Sequence, residues 1–134
     1  MDNIIKTAAA VICGAASFLW GKADGMIYAL LAFVTIDYIT GVLVAVARKQ
    51  LSSEVGARGL AKKGLILAVV AVAHILDSQM LGGTSVCRSA VIGYYIANEG
   101  ISILENAGNL GVPLPKRLLK VLEQLRDNES KEDN

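Results

Sequence analysis

Asp37, Asp77 and Glu99 interrupt three long apolar stretches of a 134-residue chain, and they limit what it can fold into more than any other feature. An acid at the centre of a membrane helix costs about 2.5 to 3.5 kcal/mol, so three unmatched ones would cost about 10 kcal/mol. The fold must therefore pair them, protonate them or turn them to water. A soluble helical domain would carry charge at every turn. Here 54% of residues are apolar and 19% charged, and the charges gather in short blocks between uncharged runs. Several runs approach the roughly 17 to 25 residues that a membrane helix needs. The predicted class is all-α: a small polytopic membrane protein with three to four hydrophobic helices plus a C-terminal amphipathic helix. Residues 1–112 form the expected membrane helical domain, and residues 113–134 an amphipathic helix with a charged cytoplasmic tail.

The first run, Ile4 to Trp20, is rich in small residues, with Lys6 just before its main part. Its length, and the poor cleavage context at Trp20-Gly21, favour a retained helix over a signal peptide. The second, Met26 to Ala47, is the clearest span, broken only by Thr35, Asp37 and Thr40 among polar side chains. The stretch Arg48 to Lys63 carries Arg48, Lys49, Arg58, Lys62 and Lys63 against Glu54 alone, which marks a cytoplasmic loop by the positive-inside rule. The third run, Gly64 to Leu81, contains His74, Asp77, Ser78 and Gln79, and Gly82-Gly83-Thr84-Ser85 makes a turn. The fourth, Val86 to Asn106, has a stripe of Tyr95, Asn98, Glu99, Ser102, Glu105 and Asn106 at three- and four-residue spacing.

Gly108, Gly111, Pro113 and Pro115 end the fourth helix and bend the chain. From Pro115 to about Asn128, Leu118, Leu119, Leu122 and Leu125 form an apolar stripe, with Lys116, Arg117, Lys120, Glu123 and Arg126 elsewhere. The residues from Glu129 to Asn134 read as a charged tail. If the basic stretch and this C-terminal region are both cytoplasmic, an even number of crossings separates them. Four spans with both ends inside leave only Lys22 and Arg88, of the 13 Lys and Arg, on the outer side. A three-span or hairpin arrangement is the alternative.

Little supports an enzyme. The single histidine, His74, would have to serve any Ser-His-Asp triad with Ser78 and Asp77, and no GxSxG elbow accompanies it. A metal site from His74, Asp77 and Asp37 would have only three candidate ligands, so neither a metal nor a cofactor is expected. Cys13 and Cys87 lack metal or redox spacing and read as small apolar residues. A net charge of +1 without interleaved aromatic and basic residues points away from nucleic acid.

Ionisable groups at membrane depth instead mark ion paths, proton relays or contacts within a bundle. The candidate pore or assembly residues are Asp37, Thr40, Asp77, Asn98, Glu99, Ser102, Glu105 and Asn106. Their stripe on the fourth helix is expected to meet water or neighbouring subunits, with Asp37 and Asp77 as deeper partners. Gly41 with Ala45, Gly64 with Ala68, and Gly93 with Ala97 have the small-xxx-small spacing that allows close helix contact in lipid. Arg48, Lys49, Arg58, Lys62, Lys63, Lys116, Arg117 and Lys120 form the basic loop and tail that would hold anionic lipid.

Several of these landmarks occur in runs that resemble a known family. Asp37-Tyr38-Ile39-Thr40-Gly41, the group Ser52, Ser53, Gly56, Gly59 and Lys63, and Asp77 are among them. The most specific are Asn98-Glu99-Gly100-Ile101-Ser102-Ile103-Leu104-Glu105-Asn106 and Gly111-Val112-Pro113-Leu114-Pro115. Over roughly residues 26 to 126 the chain resembles the phage lysis holins that include the clostridial toxin-secretion holins. The resemblance implies a protein of the bacterial cytoplasmic membrane that self-assembles into a homo-oligomeric lesion. Through it an endolysin or a large toxin would reach the cell wall. A small ion channel or transporter, or an antiholin-like regulatory subunit, is the alternative.

Overall fold

The computed structural model describes residues 1–132 and is built from helices: α1 (Asp2–Trp20), α2 (Gly25–Ala47), α3 (Ser53–Gln79), α4 (Val86–Asn109) and α5 (Lys116–Glu132). Local chemistry sets most of their ends. The Asp24 carboxylate accepts from the Ile27 N–H at 3.1 Å and starts α2. Lys49, with φ 55°, turns the chain after α2. Gly82 and Gly83, both with positive φ, make the turn after α3, and Gly111, with φ 89°, makes the one after α4.

Two boundaries differ from the sequence expectation. α3 begins at Ser53, so most of the stretch read as a basic loop is helical. The Ser52 hydroxyl caps it by accepting from the Val55 N–H at 3.2 Å, and Glu54 and Arg58, one turn apart, pair at 3.1 Å. α5 runs through Glu132 rather than ending near Asn128, and Asp133 and Asn134 lie outside the described residues.

Contacts along the helices fix their directions. Arg88 meets Asp24 and Asn106 meets Asp37, so α2 and α4 run parallel. Lys63 meets Glu99, and Asp77 meets the start of α4, so α3 is antiparallel to both. A Cβ built on Gly108, Gly100 or Gly93 would touch Leu114, Leu122 or Glu129 respectively, so α5 returns antiparallel along α4. α4 is thus the central helix, packed against α2, α3 and α5, and it buries Arg88, Ile92, Ala97, Glu99, Gly100 and Ile101. Leu30, Val70 and Ile92, fully buried, form the apolar seam between α2, α3 and α4. α1 buries none of its residues and is tied in at its end, where the Trp20 indole donates to the Leu67 carbonyl at 2.9 Å.

The outer surface is apolar on three helices. Ile36, Ile39, Leu43 and Val46 of α2, Leu65, Val69, Val72 and Leu76 of α3, and much of α1 are exposed. Such continuous apolar surface belongs in lipid rather than water. Among the described residues α1, α2 and α3 are long and apolar enough to cross a membrane, while α4 has the length but a more polar sequence. The chain is a small all-α membrane protein.

Candidate functional site

Two polar centres lie within this bundle. The first joins the middles of α2 and α4 to α3. Val34 and Asp37 continue the buried face that Ile27 and Leu30 begin on α2. On α3, Lys63, Val70 and Asp77 are seven residues apart and share a face. On α4, Ile92, Glu99 and Asn106 repeat at the same interval. Where these faces meet, the Lys63 ammonium donates to the Asp37 carboxylate and, at 2.6 Å, to Glu99 Oε2. The Asn106 amide donates to Asp37 Oδ1 at 3.1 Å and to the Thr40 hydroxyl at 2.9 Å. Thr40 in turn donates back to the Ile36 carbonyl at 2.8 Å.

Asp37 and Glu99 are 7% and 3% exposed, and the Lys63 side chain retains 17%. One ammonium therefore serves two buried carboxylates. Grooves flank the cluster on both sides. One of about 350 Å³ lies between Gly41 and Ala45 of α2, Gly56 and Gly59 of α3, and Ser102 and Asn106 of α4. Another of about 410 Å³ lies between α3 and α4 beside Ile66, Tyr95, Asn98 and Ser102. Gly56 and Gly59 leave room for the Tyr38 ring, whose hydroxyl donates to the Gly56 carbonyl at 3.3 Å.

The second centre lies at the other end of α3, fourteen residues or about 21 Å of helix from Lys63. Asp77, fully buried, accepts from the N–H groups of Cys87 at 3.0 Å and Arg88 at 2.8 Å. The preceding Ser85 makes no side-chain cap, so a residue from α3 caps α4 in its place. The Arg88 guanidinium turns back to the α1–α2 connection. It donates to the Trp20 carbonyl at 2.8 Å, the Lys22 carbonyl at 3.1 Å, and Asp24 at 2.9 and 3.3 Å. That hydrogen-bonded guanidinium holds the Asp24 carboxyl below the usual aspartate range. His74 lies under Gly21, whose Cβ would come within 2.7 Å of the imidazole. No group of three or more His, Cys, Asp or Glu among the described residues is placed to hold a metal.

The structure thus brings Asp37, Thr40, Glu99 and Asn106 together, with Ser102 and Asn98 at the groove walls, and places Asp77 in a separate centre. Glu105 is exposed. Gly41 and Ala45 border the first groove, Gly93 meets α5 and Ala97 is fully buried, while Gly64 and Ala68 face outward. Arg48, Lys49, Arg58, Lys62, Lys116, Arg117 and Lys120 are exposed, whereas Lys63, read as part of a basic loop, is the cation of the buried cluster. In the sequence Arg88 reads only as an outer charge. The seven-residue interval from Lys63 through Val70 to Asp77 was the available signal, since it puts that lysine on the inward face.

Comparison with known proteins assigns the chain to a family. The chain is 43% identical over 130 residues to an uncharacterized 14.9 kDa protein encoded in the nagH 3' region of Clostridium perfringens, covering 95% of this chain and 98% of that one. An uncharacterized protein of Halalkalibacterium halodurans is 38% identical over 135 residues, covering 98% of this chain and all of the other. A probable holin of Bacillus phage phi105 is 36% identical over 124 residues, or 90% of each chain. No solved structure matches. The bacteriophage holin family matches residues 14–127, which include both polar centres and most of α5, and the chain belongs to that family.

Proposed function

We propose that the protein is a lysis holin. It accumulates in the bacterial cytoplasmic membrane as a multi-pass protein, self-associates, and opens a lesion through which a cytoplasmic endolysin, or a large toxin, leaves. The observation that carries this reading is the Lys63 cluster. By gathering the acids of α2 and α4 around one amino group, a single chain keeps these acids inside while α1, α2 and α3 present an apolar surface. Such a unit can accumulate in lipid without opening a path. Through either groove, water can reach two carboxylates and one ammonium. Mass action supplies the association as concentration rises.

Four crossings accommodate the charges of the connections, because Arg48 and Lys49 after α2 and Lys116 and Arg117 at the start of α5 lie at the same, cytoplasmic end of the bundle, from which α5 turns back along α4. α4 would cross as the central helix, its polar side matched by Lys63 and Asp37. Gly64 and Ala68, turned outward on α3, would meet a neighbouring copy.

The test is induced expression beside a signal-less cytoplasmic endolysin, following turbidity and membrane potential together. Abrupt, endolysin-dependent lysis coinciding with loss of potential is the expected result. Loss of potential without lysis favours an ion channel. No change in either, with delay of another holin's lysis, favours an antiholin.

A further inference from the structure

α5 is a polar helix seated at a depth where lipid would be expected. Leu122 packs at Gly100, which has no room for a Cβ: one there would lie 2.9 Å from Leu122 and 3.2 Å from Phe33 of α2. This contact puts the middle of α5 level with Glu99, and so with Asp37, halfway along the α2 span. From Gly108 back to Gly93, α5 and the turn before it follow α4 for about 22 Å, against a hydrocarbon thickness of about 30 Å. Yet the side of α5 turned away from α4 carries Arg117, Lys120, Gln124, Asp127, Asn128 and Lys131, all exposed. Leu118, Val121 and Leu125 form an exposed apolar flank, so the polar surface is a stripe rather than the whole helix.

The bundle is therefore two-sided. α2 and α3 present exposed aliphatic side chains, and α5 presents charge at the same level. The polar side chains of α4, which in the sequence look suited to line water, are largely occupied internally: Glu99 by Lys63, and Asn106 by Asp37 and Thr40. A stripe of lysine, arginine and aspartate cannot face hydrocarbon at mid-depth without a severe penalty, so α5 stays docked only where its outer side meets water. We infer that in the assembled lesion α5, docked along the glycine-bearing face of α4, is the wall that faces water, while α2 and α3 face lipid. The inference rests on the holin reading, and it makes the docked hairpin the open form.

Locking the hairpin tests this. In the full chain with Cys13→Ser and Cys87→Ser, the pair Gly93→Cys and Glu129→Cys lies close enough to form a disulfide, since the Gly93 Cβ position is 4.0 Å from Glu129 Cγ. The protein is placed in phosphatidylethanolamine and phosphatidylglycerol vesicles loaded with a fluorescent protein. Oxidation should crosslink α5 to α4 and leave release within about twofold of the reduced protein. A tenfold or greater fall on oxidation, restored by reductant, would make the docked hairpin the closed form and overturn the inference. So would release from vesicles in which the pair does not crosslink. A bimane label on Lys120→Cys, an exposed position that leaves Gly93 intact, gives a second readout. Quenching by aqueous iodide supports a water-facing α5, whereas quenching by lipid-borne bromine overturns it. Absence of release in both redox states would count against the holin reading itself, and the bimane quenching still decides where α5 lies.

Discussion

The two polar centres are built to opposite standards of completeness. At the corner where α1, α2, α3 and α4 meet, partners are matched: Asp77 receives two helix N–H groups, and Arg88 is divided among Asp24 and two carbonyl oxygens. At mid-bundle, one cation, Lys63, is shared by Asp37 and Glu99, with Asn106 also donating to Asp37 and a groove on either side. A saturated network fixes one arrangement because every displacement leaves a group unpaired. A centre with more acid than cation, and with space beside it, can trade a protein partner for water. The corner is accordingly the clamp of the fold, and the mid-bundle cluster is where the packing yields more readily to water.

Four measurements separate these roles, beginning with the largest effect. Lys63→Met removes the shared cation from two buried carboxylates, and losing one partner of a buried pair costs about 3 to 5 kcal/mol. Thermal unfolding in detergent should show that loss, and lysis onset should shift relative to the parent. A Lys63→Met protein with parental stability and timing would remove the cluster from the mechanism.

Arg88→Ala strips the corner of its guanidinium, with an expected loss of about 3 kcal/mol from charged hydrogen bonds left unmade. Here the readout is proteolysis of the connection between α1 and α2, which should quicken while lysis timing changes less than in Lys63→Met. If Arg88→Ala shifted timing more, the assignment of clamp and yielding point would be reversed.

Asp77→Ala takes away the cap on α4, worth about 1 kcal/mol, and Asp77→Asn should recover part of it because an amide oxygen still accepts. Amide hydrogen exchange at Cys87 and Arg88 reports this directly. Equal exchange in parent and Asp77→Ala would show that the cap contributes nothing.

The smallest effect is at Asp24. Its folded carboxyl titrates lower than in the unfolded chain, so its contribution is complete above the unfolded value and fades as pH falls through the folded one. With its side chain 41% exposed, solvent screening keeps the effect small. Acid titration of thermal stability should therefore bring the parent and Asp24→Asn together at the lowest pH. Curves that stay parallel throughout would remove Asp24 from the corner's electrostatics.

The comparison also explains which features were legible in the chain. The apolar run of α2, the Gly82-Gly83 turn and the Gly111-to-Pro115 bend depend on local interactions, and composition and backbone preference reveal them. The stripe of Glu99, Ser102 and Asn106 was visible as a helix face, but the surface it meets depends on other helices. Lys63 is not legible as a buried cation because Lys62-Lys63 at the edge of an apolar run looks like a solvated boundary. Ser52 instead starts α3 early and carries Lys63 inside. Asp77 looked like a third member of one acidic set, although the end of α3 brings it to the exposed N–H groups of α4.

What the sequence by itself determined is the class of solution: helices of membrane length, acids that require partners, and a basic bias toward one side. These follow from chain-local terms, namely hydrophobicity, backbone propensity and the cost of an unmatched charge. Only the tertiary structure decided which partner each acid takes, because a lysine, a helix end and a water-filled gap can each satisfy a carboxylate. Helix direction and register choose among them. The same packing set α5 against Gly100, where the absence of a side chain lets a helix approach that its own polar sequence would have placed in water.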